Sequence, residues 1–126
     1  MIARYQLIRG KRPPGNPLPN GTRLDVRKHR HHVLSPNGKS VEEFLDDPTD
    51  EAARRFAKEY EALLEKRFAG DRGPFDDLAQ MARDGDVFIG CNCPTRRNPD
   101  LARCHTVLAL KFIKKKYPRL KVVLPE

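Results

Sequence analysis

The chain contains no tryptophan and only nine other aromatic residues, six Phe and three Tyr. Most sit at the spacing of buried helix faces, so an exposed row of rings for stacking successive nucleobases is not expected. It also lacks any stretch approaching the ~20 apolar residues that a bilayer-spanning helix requires. The N-terminus, MIARYQLIRGKRPPG, has a brief apolar touch and no small-residue cleavage site, so no signal peptide is expected. Cysteine is scarce: three residues, an odd number, all between positions 91 and 104. That pattern argues against a disulfide framework and for a reducing, cytoplasmic setting. There is no internal repeat, and the only biased segment is GKRPPGNPLPNG, residues 10–21.

What is present suits one globular domain across residues 1–126, 38% hydrophobic and 33% charged. The net charge of +8 is unevenly spread. Residues 1–40 carry nine Lys/Arg against the single acid Asp25, residues 41–90 seven against fourteen acids, and residues 91–126 nine against two. If the two basic ends meet, they form a positive face that favours phosphate-bearing partners. The plainer reading of Lys111, Lys114, Lys115 and Lys116 is that they solvate one side of a last helix.

Residues 3–9 read as a short strand with Tyr5, Leu7 and Ile8 as its apolar residues, and residues 23–34 as a second strand with charged faces. Ser40 and Glu43 have capping-box spacing before a short helix. Thr49 can cap a longer helix to about Phe68, with an apolar stripe through Phe56, Tyr60, Leu63 and Leu64. Pro74 opens a third helix that ends near Gly85. DVFIGC, residues 86–91, is a compact apolar strand. CHTVLALKFIKKKY, residues 104–117, is a helix, and LKVVLP, residues 120–125, is another strand. Strand, loop, helix and strand over residues 86–125 make a βαβ unit with parallel pairing. The expected fold is therefore α/β, one Rossmann-like sandwich with a mainly parallel sheet and helices on both faces.

CNCPTRRNPDLARCH, residues 91–105, is the strand-to-helix loop of that unit. Ligands of such sheets bind beyond the strand carboxyl ends, where a helix N-terminus favours anions and lowers thiol pKa values. Arg96, Arg97 and Arg103 could clamp an anionic group. Cys93 and Cys104 with His105 form a candidate nucleophile and base, while Cys91 reads as a small buried hydrophobe. Cys91, Cys93, Cys104 and His105 also supply the atoms of a tetrahedral zinc site, though C-x-C and C-H are not the spacing of common fingers. No cofactor is required by the pattern; zinc is the one it allows. The run HRHH reads as solvated. Asp76, Asp77, Asp84 and Asp86 have no paired-carboxylate role.

Gly15, Asn16 and Pro17 after a proline-rich loop, then C-x-C-P and C-H opening the last helix, resemble a family of small uncharacterised bacterial and phage domains. That family is similar to Rossmann-like domains of the SLOG type, which sense and process nucleotide derivatives. The resemblance implies that Gly15, Asn16 and Pro17 line a pocket opposite Cys93, Cys104 and His105. Two departures stand out: the longer loop TRRNPDLAR, and Thr106 where the family usually has Gly.

Two functions compete. The first is binding, with processing as its extension, of a nucleotide or nucleotide-derived phosphorylated ligand at the Cys/His/Arg-rich loop. The second is a non-enzymatic basic module that binds nucleic acid through phosphate contacts, with a structural zinc at the same cluster.

Overall fold

The computed structural model describes residues 1–125. Three strands, β1 (Ile2–Gln6), β2 (Thr22–Asp25) and β3 (Val87–Cys91), form a parallel sheet in the order β1-β3-β2. Four helices flank it, α1 (Gly38–Asp46), α2 (Asp50–Gly70), α3 (Gly73–Asp84) and α4 (His105–Lys116), giving an α/β, Rossmann-like sandwich. The most apolar strand, VFIGC, takes the centre, where strand neighbours cover it on both edges. Its register sets Ile2 and Thr22 opposite Val87, and Gln6 opposite Cys91. All three strands therefore end at the same edge of the sheet.

Side chains alternate between the two faces. Ile2, Val87 and Ile89 share the core with Leu110 and Ile113 of α4. Arg4 and Cys91, in step with them, lie on that same face. The opposite face carries Tyr5 and Phe88. Tyr5 lies across Gly90, where an added Cβ would come 2.7 Å from its ring. Below the sheet, Phe68 of α2, Phe75 of α3 and Phe112 of α4 pack with ring centroids 5.4–5.9 Å apart. Full burial of each such side chain stabilises by roughly 1.5–3 kcal/mol.

The helix signals are local and mostly hold. Thr49 caps α2, its hydroxyl accepting from the Ala52 amide at 3.0 Å. Pro74 lies in the first turn of α3 and Gly85 follows its last residue. The start of α1 differs from expectation: Asn37, not Ser40, is the cap, its Oδ1 accepting from the Lys39 amide at 2.9 Å. An Asx cap three residues earlier outcompetes the capping box.

Two strand expectations are corrected. The strand expected over 23–34 covers only Thr22–Asp25, because RKHRHH cannot bury and turns away once Val26 has made its bond to Gly90 O. The last expected strand, 120–125, is reduced to one parallel bridge between Val122 and Ile2. Two backbone bonds hold it, Ile2 N to Lys121 O and Val123 N to Ile2 O, both 2.9 Å. The terminal segment does run parallel, but it pairs with β1 and not with β3, and it is far shorter than expected.

Part of the terminal lysine run is neutralised within the fold. Lys115 pairs with Glu61 and Glu65, and Lys116 with Glu65 at 2.9 Å, all from α2. Lys111 and Lys114 remain exposed. No helix among the described residues is long and apolar enough to cross a membrane.

Candidate functional site

Cys91 ends β3 on the α4 side of the sheet, and Cys93 follows two residues on, after Asn92. Cys104 is the N-cap of α4 and His105 its first residue. These elements bring the three cysteine sulfurs within 4.8 Å of one another, with Cys91 and Cys93 4.0 Å apart. All three are free thiols; Cys93 and Cys104 are buried and Cys91 is half-buried. The cluster has the donor atoms to hold a metal ion. Cys91 is thus part of the cluster, although its place in an apolar strand read as simple packing.

The loop between Cys93 and α4 is folded. Thr95 and Asn98 exchange backbone hydrogen bonds of 3.2 Å, and the Asn98 amide also donates to Thr95 Oγ1 at 3.1 Å. That turn buries Asn98, whose Nδ2 points at Cys93 Sγ, 3.6 Å away. A short 3-10 turn, Leu101–Arg103, then delivers Cys104 to the helix start.

Arg4 ties β1 to this loop. Its Nε donates to Thr106 Oγ1 at 2.9 Å and its Nη2 to Cys93 O at 2.7 Å. Thr106 Oγ1 lies 3.0 Å from Cys104 Sγ. Because Arg4 already donates to that oxygen, the hydroxyl proton is free to point at the sulfur. A chain of Arg4, Thr106 and Cys104 results, with its positive end at Arg4.

His105 is buried and its ring meets Tyr60 edge-on at 5.7 Å. Its Nε2 is 2.8 Å from Val26 O. A carbonyl only accepts, so Nε2 carries a proton and Nδ1 is left for the thiols. Burial works against charge on the ring, yet Cys104 and Cys91 beside it hold its pKa up to about 9. The Cys104 thiol is driven down from its ordinary value by hydrogen bonds from Cys91 and Cys93, with His105 adding to them. Cys93 is driven up, chiefly because it donates to Cys104. The cluster therefore concentrates its negative charge on Cys104. In metal-free protein at pH 6, brief treatment with iodoacetamide should label Cys104 at least about ten-fold faster than Cys93. Peptide mass spectrometry reads this directly, and label appearing first on Cys93 would contradict the assignment.

The thiols line a cavity of about 390 Å³ at the carboxyl edge of the sheet. Phe44, Leu45 and Phe56 form an apolar wall, and Arg27 and Arg96 a cationic one. Arg97 and Arg103 also line it, but acids occupy their guanidinium groups. Arg97 faces Glu42 at 3.5 Å and Asp46 at 3.3 Å, and Arg103 pairs with Asp50. They brace the loop against α1 and α2, leaving Arg96 as the member of the expected trio without an acidic partner among the described residues. Gly15, Asn16 and Pro17 are exposed and do not line the cavity. Asn16 is held by Arg12, which bonds its carbonyl at 2.9 Å and its Oδ1 at 3.2 Å.

Beside the cavity, Asp25 at the end of β2 receives Arg27 Nη2 at 2.7 Å and Arg30 Nε at 2.9 Å. The Arg27 hydrogen bonds outweigh burial and bring its pKa down to about 2. Because the folded pKa lies below the unfolded one, this stabilisation is complete above about pH 5. It is lost as pH falls through 4 toward 2. Asp25 is a quarter exposed, so after solvent screening the loss is about 1–2 kcal/mol. Urea midpoints measured between pH 6 and pH 2.5 should fall less steeply in Asp25→Asn than in the parent protein.

Sequence reasoning missed Arg4, Thr106 as a hydrogen-bonding residue, Asn98 and Arg27. Only Arg4 left a usable signal: a cation in step with Ile2 along a short strand. Tyr5, Leu7 and Ile8, the apolar residues of that strand, alternate too poorly to assign Arg4 a face. No protein-family model, curated protein or solved structure matches this chain.

Proposed function

We propose that this protein binds a nucleotide or nucleotide-derived phosphorylated small molecule in the cavity at the carboxyl edge of its sheet. One observation carries the reading: a cavity of ligand size that joins an aromatic wall, the guanidinium of Arg96 and a thiol cluster at a helix start. The phosphate end would meet Arg96 and the first turn of α4, and the base would lie against Phe44 and Phe56. In the metal-free protein Cys104, with His105 beside it, would carry any chemistry on the bound ligand; Cys93 would hold it by hydrogen bonding. The resemblance to SLOG-type domains supports the same class of ligand. Free thiols at such a site suit a reducing cytoplasm.

Thermal-shift and calorimetric titrations with AMP, ADP, ATP and ribose 5-phosphate test the reading. Binding of one of them should raise the midpoint through mass action, and Arg96→Ala should weaken it by about ten-fold. Absence of any shift at millimolar concentration would reject it.

One observation favours the second reading, a nucleic-acid-binding module with a structural zinc at the thiol cluster. Lys28, His29, Arg30, His31, His32 and Arg67 line an open groove next to the cavity. Several of these cations are already engaged: Lys28 with Glu42, Arg30 with Asp25, and Arg67 with the carbonyls of Val33 and Ser35. Binding of random-sequence duplex DNA or RNA that falls steeply with salt would support this alternative.

A further inference from the structure

We infer that Cys91, Cys93 and Cys104 hold a zinc ion with three thiolates and leave its fourth position open to the cavity. A tetrahedral zinc with Zn–S bonds of about 2.3 Å spaces its sulfurs about 3.8 Å apart. The sulfurs here are already 4.0 Å apart at one edge and no more than 4.8 Å at any other. Closing onto the ion moves each pair by at most about 1 Å, within reach of side-chain rotation on the strand end and the helix cap.

The surroundings fit thiolates. Asn98 Nδ2 is aimed at Cys93 Sγ, and the Thr106 hydroxyl at Cys104 Sγ with Arg4 behind it. Zinc with three thiolates carries a net charge of −1. Arg4, Arg27 and the N-terminus of α4 supply compensating positive potential. Outer-shell donors of this kind orient ligands and set the charge on the sulfur. They lie on three separate elements, β1, the Thr95–Asn98 turn and α4, so folding assembles the site.

The fourth position is what separates this centre from a structural finger. His105 was the expected fourth ligand. It falls outside the group of donor atoms that lie mutually within 4.8 Å. The three sulfurs all line the cavity, so the remaining coordination site faces that space. Three protein ligands with an open position is the arrangement of zinc sites that take a substrate or a water. That a ligand phosphate oxygen occupies this position rests on the binding reading above; the three-thiolate centre does not.

The test uses the full chain, reduced, stripped of metal and titrated anaerobically with Co²⁺ as a spectroscopic probe. One Co²⁺ per chain should appear with thiolate-to-metal charge-transfer bands and the visible bands of a tetrahedral site, and Zn²⁺ should displace it. Imidazole, added as a neutral probe of the open position, should shift the visible bands. Cys91→Ser, at the least buried of the three, should weaken Zn²⁺ binding by at least about 100-fold, beyond the 10–100-fold expected of an outer-shell partner. His105→Gln should retain the charge-transfer bands. The proposal is overturned if Co²⁺ gives no charge-transfer band while all three thiols react equally with and without Zn²⁺. Visible bands unmoved by imidazole and lost in His105→Gln would overturn the open position. AMP titration of metal-free protein keeps the two readings apart: nucleotide binding without metal binding leaves the cavity reading intact, and the reverse leaves the zinc centre intact.

Discussion

Replacing Phe56 by alanine should destabilise the protein by about 3–5 kcal/mol, as large-to-small changes of buried aromatics do. Phe56 lies on α2 and is only 6% exposed. It is the middle ring of a stack, 5.7 Å from Phe44 of α1 and 6.1 Å from Tyr60, with interplanar angles of 13° and 5°. Tyr60 in turn meets His105 and donates a 2.6 Å hydrogen bond to Leu34 O. Removing the middle ring breaks a column that runs from α1 to the start of α4. It also removes part of the apolar cavity wall. Against a total stability of about 5–15 kcal/mol for a domain of this size, the loss is a large fraction. Urea denaturation followed by circular dichroism measures it, with Phe56→Leu as the control. A loss below 1 kcal/mol would mean that α1 and the loop repack, and that the wall is not a built surface.

Gly21→Ala should cost about 3 kcal/mol, by a different mechanism. Gly21 has φ +145°, a conformation that side chains avoid. An added Cβ would stand 2.6 Å from Asp86 O and 3.0 Å from Phe88 Cε2. The first of these is backbone at the entry to the central strand and cannot step aside. The next residue donates the Thr22 N to Asp86 O bond, 2.9 Å long, that begins the β2–β3 ladder. The substitution should therefore loosen β2 in particular, and with it Asp25 and Arg27 at the cavity edge. Hydrogen exchange should show lost protection at the β2 amides, with α2 and α3 protected to the level that global stability allows. Uniform loss across the chain, or none, would place the strain elsewhere.

The fold was legible where short-range physics decides. Thr49 and Pro74 mark helix starts whatever surrounds them, because caps satisfy amides that every helix leaves open. VFIGC could only be an interior strand. The strand errors fell at sheet edges, and the cap of α1 moved from Ser40 to Asn37. Whether residues 26–34 or 120–125 extend a strand depends on how much neighbouring backbone is available to pair, and periodicity carries no record of that. At the site, the segment 91–105 was identifiable from its residues because soft ligands crowd into one strand-to-helix loop. The share of work within it was not. Arg97 and Arg103 read as an anion clamp, yet the acids of α1 and α2 had already claimed them, at positions about fifty residues away in the chain.

From the amino-acid order alone came the α/β class, the starts of α2 and α3, the interior strand and the loop that carries two of the three thiols, since each depends on residues within a turn or two of one another. Tertiary structure decided which side chains meet there. The register of β1 against β3 sets Arg4 behind Thr106, the Thr95–Asn98 turn aims an amide at Cys93, and Val26 O takes one nitrogen of His105. Those contacts join residues up to 102 positions apart. They fix the surroundings of the sulfurs and of His105, and no local pattern encodes a distance of that kind.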